Sequence, residues 1–368
     1  MKSEFAKMVA VLLVLITTVF SLPLVQAEEQ AVLTIGVMSC LSSDCAEWGE
    51  NTRRGVELAI EQVNSSGGVL GRKLEAVYQD SRDVSPSYTR SAYQQLSSNN
   101  KINFIIGPTW TIGGMAIAPL IARNQNQIVV SPSVGVREFN ETADNIFNTW
   151  PHDERATRKL ASYAIAQGLK TAAIFGSQDP WVETQSRIFS EEYSKLGGKI
   201  IAQVTPLPGS RDLATEALQI QKASPEVVFI SNYQADIIAQ EFAELKFKAV
   251  KLSILMEQER VKSANGALEG TIFALYQEPA QDFKQAFINK FKIAPGITAD
   301  TAYDALMLFV AGIQKAQSFE PLKVRAQLQE IRDFRGASGT FSVAADGSVN
   351  KQPVLWKVSG ETYLRVEQ

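Results

Sequence analysis

The sequence predicts an α/β protein built from two doubly wound, Rossmann-like lobes. Two observations carry that expectation. Short β-rich apolar runs alternate with amphipathic segments of helical length, the pattern of parallel sheets with crossover helices. The alternation restarts after Phe147-Asn148-Thr149-Trp150-Pro151, and the chain is too long for one small core.

Taken in order, Val32 to Met38 (V-L-T-I-G-V-M) reads as a buried strand, and Glu47 to Val63 as a helix with apolar residues at helical spacing. The glycines of N-S-S-G-G-V-L-G-R-K-L, Asn64 to Leu74, end that helix and allow a tight return into a strand from Leu74 to Gln79. Ser85 and Pro86 supply a cap and a first-turn proline for a helix reaching Ser98. From Ile102 the chain reads I-N-F-I-I-G-P-T-W-T, then an apolar helical run to Arg123, then I-V-V-S-P-S-V-G. This is a βαβ unit with strands at Ile102 to Ile106 and Ile128 to Val130 around a helix from Thr111 to Arg123. A right-handed crossover makes the strands parallel, so Pro108 to Thr111 and Pro132 to Gly135 emerge at the same carboxyl edge.

Beyond Pro151 the spacing predicts helices at Glu154 to Ala166, Val182 to Leu196, Asp212 to Lys222 and Ala235 to Phe247. Between and after them come strands at Ala172 to Gly176, Ile200 to Thr205, Val227 to Ser231, Lys251 to Met256 and Gly270 to Tyr276. Helices at Asp282 to Phe291, Asp300 to Ala316 and Leu322 to Glu330 follow, then strand-like runs at Gly339 to Val343, Val354 to Val358 and Thr362 to Val366.

Lys2 and Lys7 stand at the head of an apolar run from Met8 to Phe20, with small residues leading to Ala27. This is the pattern of a secretory signal peptide cleaved after Ala27, and residues 1–27 are set aside as that leader. No Cys follows the cut to take a lipid anchor, and no later apolar run is long enough to span a bilayer. An exported, soluble protein in the periplasm is expected. Removing the leader takes the formal charge from −3 to −4, an acidic balance with no footprint for nucleic acid. Cys40 and Cys45 lie close together after the first strand. In an oxidising compartment a disulfide between them is expected, worth about 2 kcal/mol on the loop-entropy model, the alternative being two free thiols. With His152 the sole histidine and no Cys/His cluster, the sequence calls for no metal and no cofactor.

The hydroxyls Thr109, Thr111, Ser131 and Ser133 sit on the two loops of the βαβ unit, and Thr111 opens a helix whose free N–H groups favour a carboxylate. The plain alternative is that these residues only cap a helix and turn the chain.

The strand I-G-V-M, the aromatic-Gly pair Trp48-Gly49, the run R-R-G-V-E-L-A-I-E-Q-V-N-S-S-G-G-V-L-G-R-K-L, the D-S-R-D after the second strand, and I-I-G-P-T followed by V-S-P-S occur in one order. In that order they resemble the branched-chain amino acid (Leu/Ile/Val) type of periplasmic solute-binding protein, a type I periplasmic binding fold. The resemblance covers nearly all of the chain after the leader. It implies two lobes joined by a three-crossover hinge, with crossings near 149–151, 276–279 and 346–351. Lobe 1 would be 28–150 plus 278–345, and lobe 2 would be 151–277 plus 346–368.

The resemblance also implies that a ligand carboxylate is held by the loops carrying Trp110, Thr111, Ser133 and Val134. Family members that bind α-amino acids carry Thr where this chain has Gly135. Glu257, after the strand in L-M-E-Q, corresponds to the second-lobe acid expected to meet a ligand ammonium, the alternative being a solvated glutamate that starts a helix. Trp48, Trp110, Trp181 and Tyr233 fall on loops that would face the cleft, able to pack a side chain or surround a cation, unless they only pack loop against helix. Tyr303 and Asp304 read as structural residues beside the hinge, and His152 as a hinge-surface residue.

The expected activity is that of an extracytoplasmic substrate-binding protein of an ABC importer. It would work as a monomer, capturing an amino acid or related small carboxylate or ammonium compound between closing lobes for a membrane permease. One alternative is a ligand sensor of the same fold, of amide or aromatic-acid type, signalling to a regulator. Another is an exported α/β enzyme, against which stand the missing G-x-S-x-G elbow, the missing phosphate loop and a lone histidine without a nucleophile partner.

Overall fold

A computed structural model of the chain describes residues 32–366 apart from 44, 83, 84, 255 and 277. The expected leader therefore lies outside the described residues. The chain opens β1 (Val32–Ser39), α1 (Ala46–Ser65), β2 (Lys73–Asp80), α2 (Pro86–Ser97), β3 (Phe104–Ile106), α3 (Thr111–Arg123), β4 (Ile128–Ser131), α4 (Arg137–Glu141) and β5 (Ile146–Asn148). It continues α5 (Glu154–Ala166), β6 (Thr171–Phe175), α6 (Pro180–Lys195), β7 (Lys199–Val204), α7 (Ala214–Ala223), β8 (Val227–Ile230), α8 (Ala235–Glu244), β9 (Val250–Ile254), α9 (Gln258–Ser263) and β10 (Ile272–Leu275). The last elements are α10 (Gln281–Phe291), α11 (Ala299–Ala316), α12 (Pro321–Gln329), β11 (Phe334–Gly336), β12 (Gly339–Phe341), β13 (Val354–Ser359) and β14 (Thr362–Arg365).

These elements form two large sheets and a two-stranded one, β11-β12. The first is parallel, in the order β2-β1-β3-β4-β5. The second runs β14-β13-β10-β9-β8-β6-β7, with β13 and β14 antiparallel on an otherwise parallel sheet. Both contain the 2-1-3-4-5 winding, whose order reverses beside the first strand, and ligands of such sheets bind at that reversal on the carboxyl edge. In the first sheet the reversal lies between β1 and β3. In the second it lies between β6 and β8.

The buried strands are near-continuous apolar runs because helices cover both faces. One core lies between the first sheet and α1, α11 and α12, centred on Ile35, Val37, Phe104 and Phe309. Another packs the outer face of the second sheet under α7 and α8. A third is shared by the two sheets, running from Ile105, Val129 and Phe139 through Trp150 and Tyr276 to Ile174, Phe189 and Phe229. The chain leaves the first sheet after β5, and α10 and α11 return to pack on α1 after β10. It crosses a third time into β13. The architecture is thus two doubly wound lobes with a three-crossover hinge.

The strand pattern differs from expectation in two places, and the short helix α4 was not expected. Ile146–Asn148, read only as a boundary, pairs with β4 as the edge strand β5. Gly339 to Val343 is not one strand: β12 stops at Phe341 and pairs with the short β11, while Val343 bridges Val349 alone. Three-residue strands carry too little periodicity to be read from sequence.

Candidate functional site

The loops at the two reversals meet across the gap between the sheets. Trp48 comes from the first turns of α1, Trp110 and Thr111 from the start of α3, and Ser133 from the loop after β4. From the second sheet come Trp181 at the start of α6 and Tyr233 in the loop after β8. All six line one cavity of about 20 Å³ together with Thr109 and Asp153. That volume holds about one water-sized group.

Each side chain is held by local chemistry. Cys40 and Cys45 are joined by a disulfide, both buried, and close the loop in front of α1. Gly49 is required there because a Cβ would lie 1.5 Å from the Cys40 carbonyl oxygen. Ser39 Oγ donates to the Gly49 carbonyl at 3.0 Å, and Thr298 Oγ1 donates to the Trp48 carbonyl at 2.8 Å, so the first turn carrying Trp48 is pinned on two sides. The Asp179 side chain caps α6, accepting from the N–H groups of Trp181 at 3.0 Å and Val182 at 3.1 Å. Asn232 ties the Tyr233 loop to the Gly176 carbonyl at 2.8 Å. No side chain caps α3, whose first-turn N–H groups at Thr111 stay available to an anion.

The aromatic rings form a chain of contacts. Trp48 meets Trp110 edge-on with centroids 5.0 Å apart, Trp110 meets Tyr233 at 5.1 Å, and Tyr233 stacks on Trp181 at 5.3 Å. The middle contact crosses between lobes. Trp150, 5.4 Å from Tyr276 and 6.5 Å from Trp48, extends the cluster behind the cavity.

At the centre lies Asp153, a residue not singled out from the sequence. It stands at the N-cap position of α5, yet its side chain makes no capping bond. Instead Oδ1 accepts from Trp150 Nε1 at 2.9 Å, and Oδ2 accepts from Trp181 Nε1 at 2.8 Å. The Tyr276 hydroxyl lies 3.1 Å from the His152 carbonyl oxygen and 3.4 Å from Asp153 Oδ1. All these donors are neutral. Burial pushes the Asp153 carboxyl up to about 7, with the indole bonds from Trp150 and Trp181 opposing the shift. Burial likewise raises the Tyr233 and Tyr276 phenols, with nearby Asp179 and Asp153 respectively adding to it.

Gly135 now has a physical reason. A Cβ at that position would lie 1.8 Å from Asp153 Oδ2. The carboxylate occupies the space that a threonine would fill, and the Gly135 carbonyl accepts the Asp153 N–H at 2.9 Å. The signal in the sequence was the absent threonine together with an acid two residues past Pro151.

Three expected residues stand outside the cavity wall. The Val134 N–H donates to Ser131 Oγ at 2.9 Å and that of Ser133 to the same oxygen at 3.3 Å, so both groups are spent within the loop. Gly135 contributes space and the carbonyl that holds the Asp153 N–H, but no side chain. Glu257 stands behind the lining: Oε2 pairs with Arg260 Nε at 2.8 Å, while Oε1 accepts from Nε1 of the cavity-lining Trp48 at 3.2 Å across the lobes. Its charge already has a partner. His152, expected on the hinge surface, is buried, its Nε2 lying 3.0 Å from Asn140 Oδ1. Asp304 accepts the backbone N–H groups of Ala337 at 2.6 Å and Ser338 at 2.9 Å beside the third crossing.

Among the described residues no group of His, Cys, Asp and Glu is arranged to hold a metal ion, and no helix is long and apolar enough to cross a membrane. A family model for periplasmic binding proteins matches residues 32–361. The chain belongs to the periplasmic binding protein family. Relatives include a Leu/Ile/Val-binding protein homolog of Brucella melitensis, 24% identical with 86% of this chain and 89% of that protein covered. The leucine-, isoleucine-, valine-, threonine- and alanine-binding protein of Pseudomonas aeruginosa is 25% identical over 86% of this chain and 87% of its own. Among solved structures, a leucine binding protein from Thermotoga maritima superposes with a TM-score of 0.85 at 21% identity, covering 91% of this chain and 98% of that one. A solute binding protein of R. palustris, solved in complex with benzoate, gives 0.82 at 19% identity, covering 91% and 96%. This periplasmic binding protein shares their two-lobed, type I fold.

Proposed function

We propose that this protein is the extracytoplasmic receptor of an ABC importer, closing two lobes around a small zwitterion and delivering it to a membrane permease. The observation that carries the reading is the cavity itself: an uncapped helix N-terminus on one wall, a buried carboxylate on another, and four aromatic rings contributed by both lobes. The helix end and the Thr111 hydroxyl receive a ligand carboxylate, while Asp153 takes the cationic end that the resemblance assigned to Glu257. Capture and release need no bond chemistry, so the protein acts as a receptor and not an enzyme. It works as a monomer in the periplasm after cleavage behind Ala27.

In this reading lobe 1 comprises 28–150 with 278–345, and lobe 2 comprises 151–277 with 346–368. The pieces swing about crossings near 149–151, 276–279 and 346–351. Because the cavity admits about one water-sized group, a solute enters only when the lobes part, and its contacts with both walls favour the closed form. A receptor for an aromatic acid is the second reading, favoured by the benzoate-bound neighbour. Asp153 weighs against it, since two carboxylates in one dry cavity repel.

The test is thermal denaturation with small-angle scattering across amino acids, betaines, amides and aromatic acids. A true ligand at 100 times its dissociation constant adds about 2.7 kcal/mol and contracts the molecule. A panel that produces neither effect with any member overturns the receptor reading.

A further inference from the structure

We infer that the cationic end of the ligand is an N-methylated ammonium, and that the preferred solutes are short betaines with one or two carbons between nitrogen and carboxylate. This rests on the receptor reading above and specifies its ligand. Three observations carry it.

The first is what surrounds the charge. Asp153 is buried, and the groups nearest its carboxylate are the indole N–H groups of Trp150 and Trp181 and the Tyr276 hydroxyl, all neutral donors. A buried carboxylate without a cationic partner is costly, and a ligand cation removes that cost. The two indoles fill about half of the carboxylate's roughly four acceptor sites, and the Tyr276 proton is shared with the His152 carbonyl oxygen, so the charge itself stays uncompensated.

The second is the wall. Trp48, Trp110, Trp181 and Tyr233 line the same space, and indole rings offer π faces and N–H donors but no acceptor. The Ser133 hydroxyl already donates to the Thr109 carbonyl at 2.7 Å, and the Thr109 hydroxyl accepts from the Cys40 N–H at 3.3 Å. A bare ammonium brings three N–H groups that need acceptors on leaving water, and beside the carboxylate this wall offers only hydroxyl oxygens, those of Thr109, Thr111, Ser133 and Tyr233, the greater part of it being aromatic. A trimethylated nitrogen brings none. It asks for a negative charge and aromatic faces, which is what the wall supplies.

The third is distance. The start of α3 at Thr111 and the Asp153 carboxylate border one cavity of about 20 Å³, so the two ligand charges they receive cannot be far apart. Room for the methyl groups comes from parting the Trp110–Tyr233 contact, which joins the lobes and opens with the hinge.

The experiment is titration calorimetry of the full mature protein with glycine, sarcosine, dimethylglycine and glycine betaine, then with leucine and benzoate. Affinity is expected to rise along the methylation series, with glycine betaine at least about tenfold tighter than glycine. Asp153→Asn should remove most of the betaine affinity, and Trp181→Phe, which keeps a ring, should lose less than Trp181→Ala. A flat or falling series overturns the inference whatever the variants do. Tighter binding of leucine or benzoate also overturns it while leaving the receptor reading intact.

Discussion

Asp153 links local chemistry to measurable behaviour. Its carboxyl is held up to about 7 by burial, whereas in the unfolded chain it titrates near 4. Between those values the folded state holds a proton that the unfolded state has lost, so stability falls as pH rises through this window and levels above it. The loss attributable to Asp153 is about 4 kcal/mol. Glu154 and Arg155 lie close enough to act on Tyr276, and Asp179, Glu257 and Arg260 on Tyr233, while Asp300, also raised by burial to about 6, slopes the same way. The difference between wild type and Asp153→Asn in urea denaturation from pH 4 to 8 therefore isolates the Asp153 share. For a cationic ligand the dependence reverses, affinity growing as pH approaches 7 and the carboxyl ionises. Gly135→Ala should cost about 1–3 kcal/mol, because its new methyl overlaps Oδ2. Adding Asp153→Ala should recover part of that loss in denaturant midpoints. The aromatic wall was legible in advance, since tryptophan is scarce and three of them fell on loops that the family resemblance turns toward the cleft from both lobes. Asp153 was not, because an aspartate ahead of a helix ordinarily reads as a cap, and only its contacts reveal that it has turned elsewhere. The pairing of Glu257 was equally hidden: Arg260, one helical turn on, gives its charge a partner that the sequence did not announce.

Among the elements, α6 illustrates how a helix start serves the site. Asp179 both caps the helix and fixes the backbone of Trp181. Asp179→Ala should cost about 1 kcal/mol in denaturation, and loosening Trp181 should weaken binding in calorimetry by more than that local loss alone implies. The long amphipathic helices and buried parallel strands were readable because many residues share one period. The edge strand β5 and the pair β11 and β12 owe their existence to tertiary neighbours, as does the short helix α4, which no local pattern announces, whereas α9 begins where Glu257 was read as a possible helix start.

For the molecule as a whole, the hinge has its own buried charge. Lys351, on the third crossing, donates to the Thr149 carbonyl of the first crossing at 2.9 Å and to Ser338 Oγ, which in turn donates to Asp304 Oδ2. Burial lowers the Lys351 ammonium, opposed by Asp304 and Asp300, and burial raises both acids. Lys351→Met should cost about 3–5 kcal/mol near neutral pH, since it strands those carboxyls, and less at low pH where they accept protons; denaturation at the two pH values checks this. The placement of the five tryptophans has an optical consequence. Trp48, Trp110, Trp150 and Trp181 share the interlobe cluster, while Trp356 sits apart on the antiparallel edge of the second sheet. Four of the five indoles thus border or back the proposed ligand cavity and one stands far from it, so a solute bound there should alter the intrinsic tryptophan emission without an added dye.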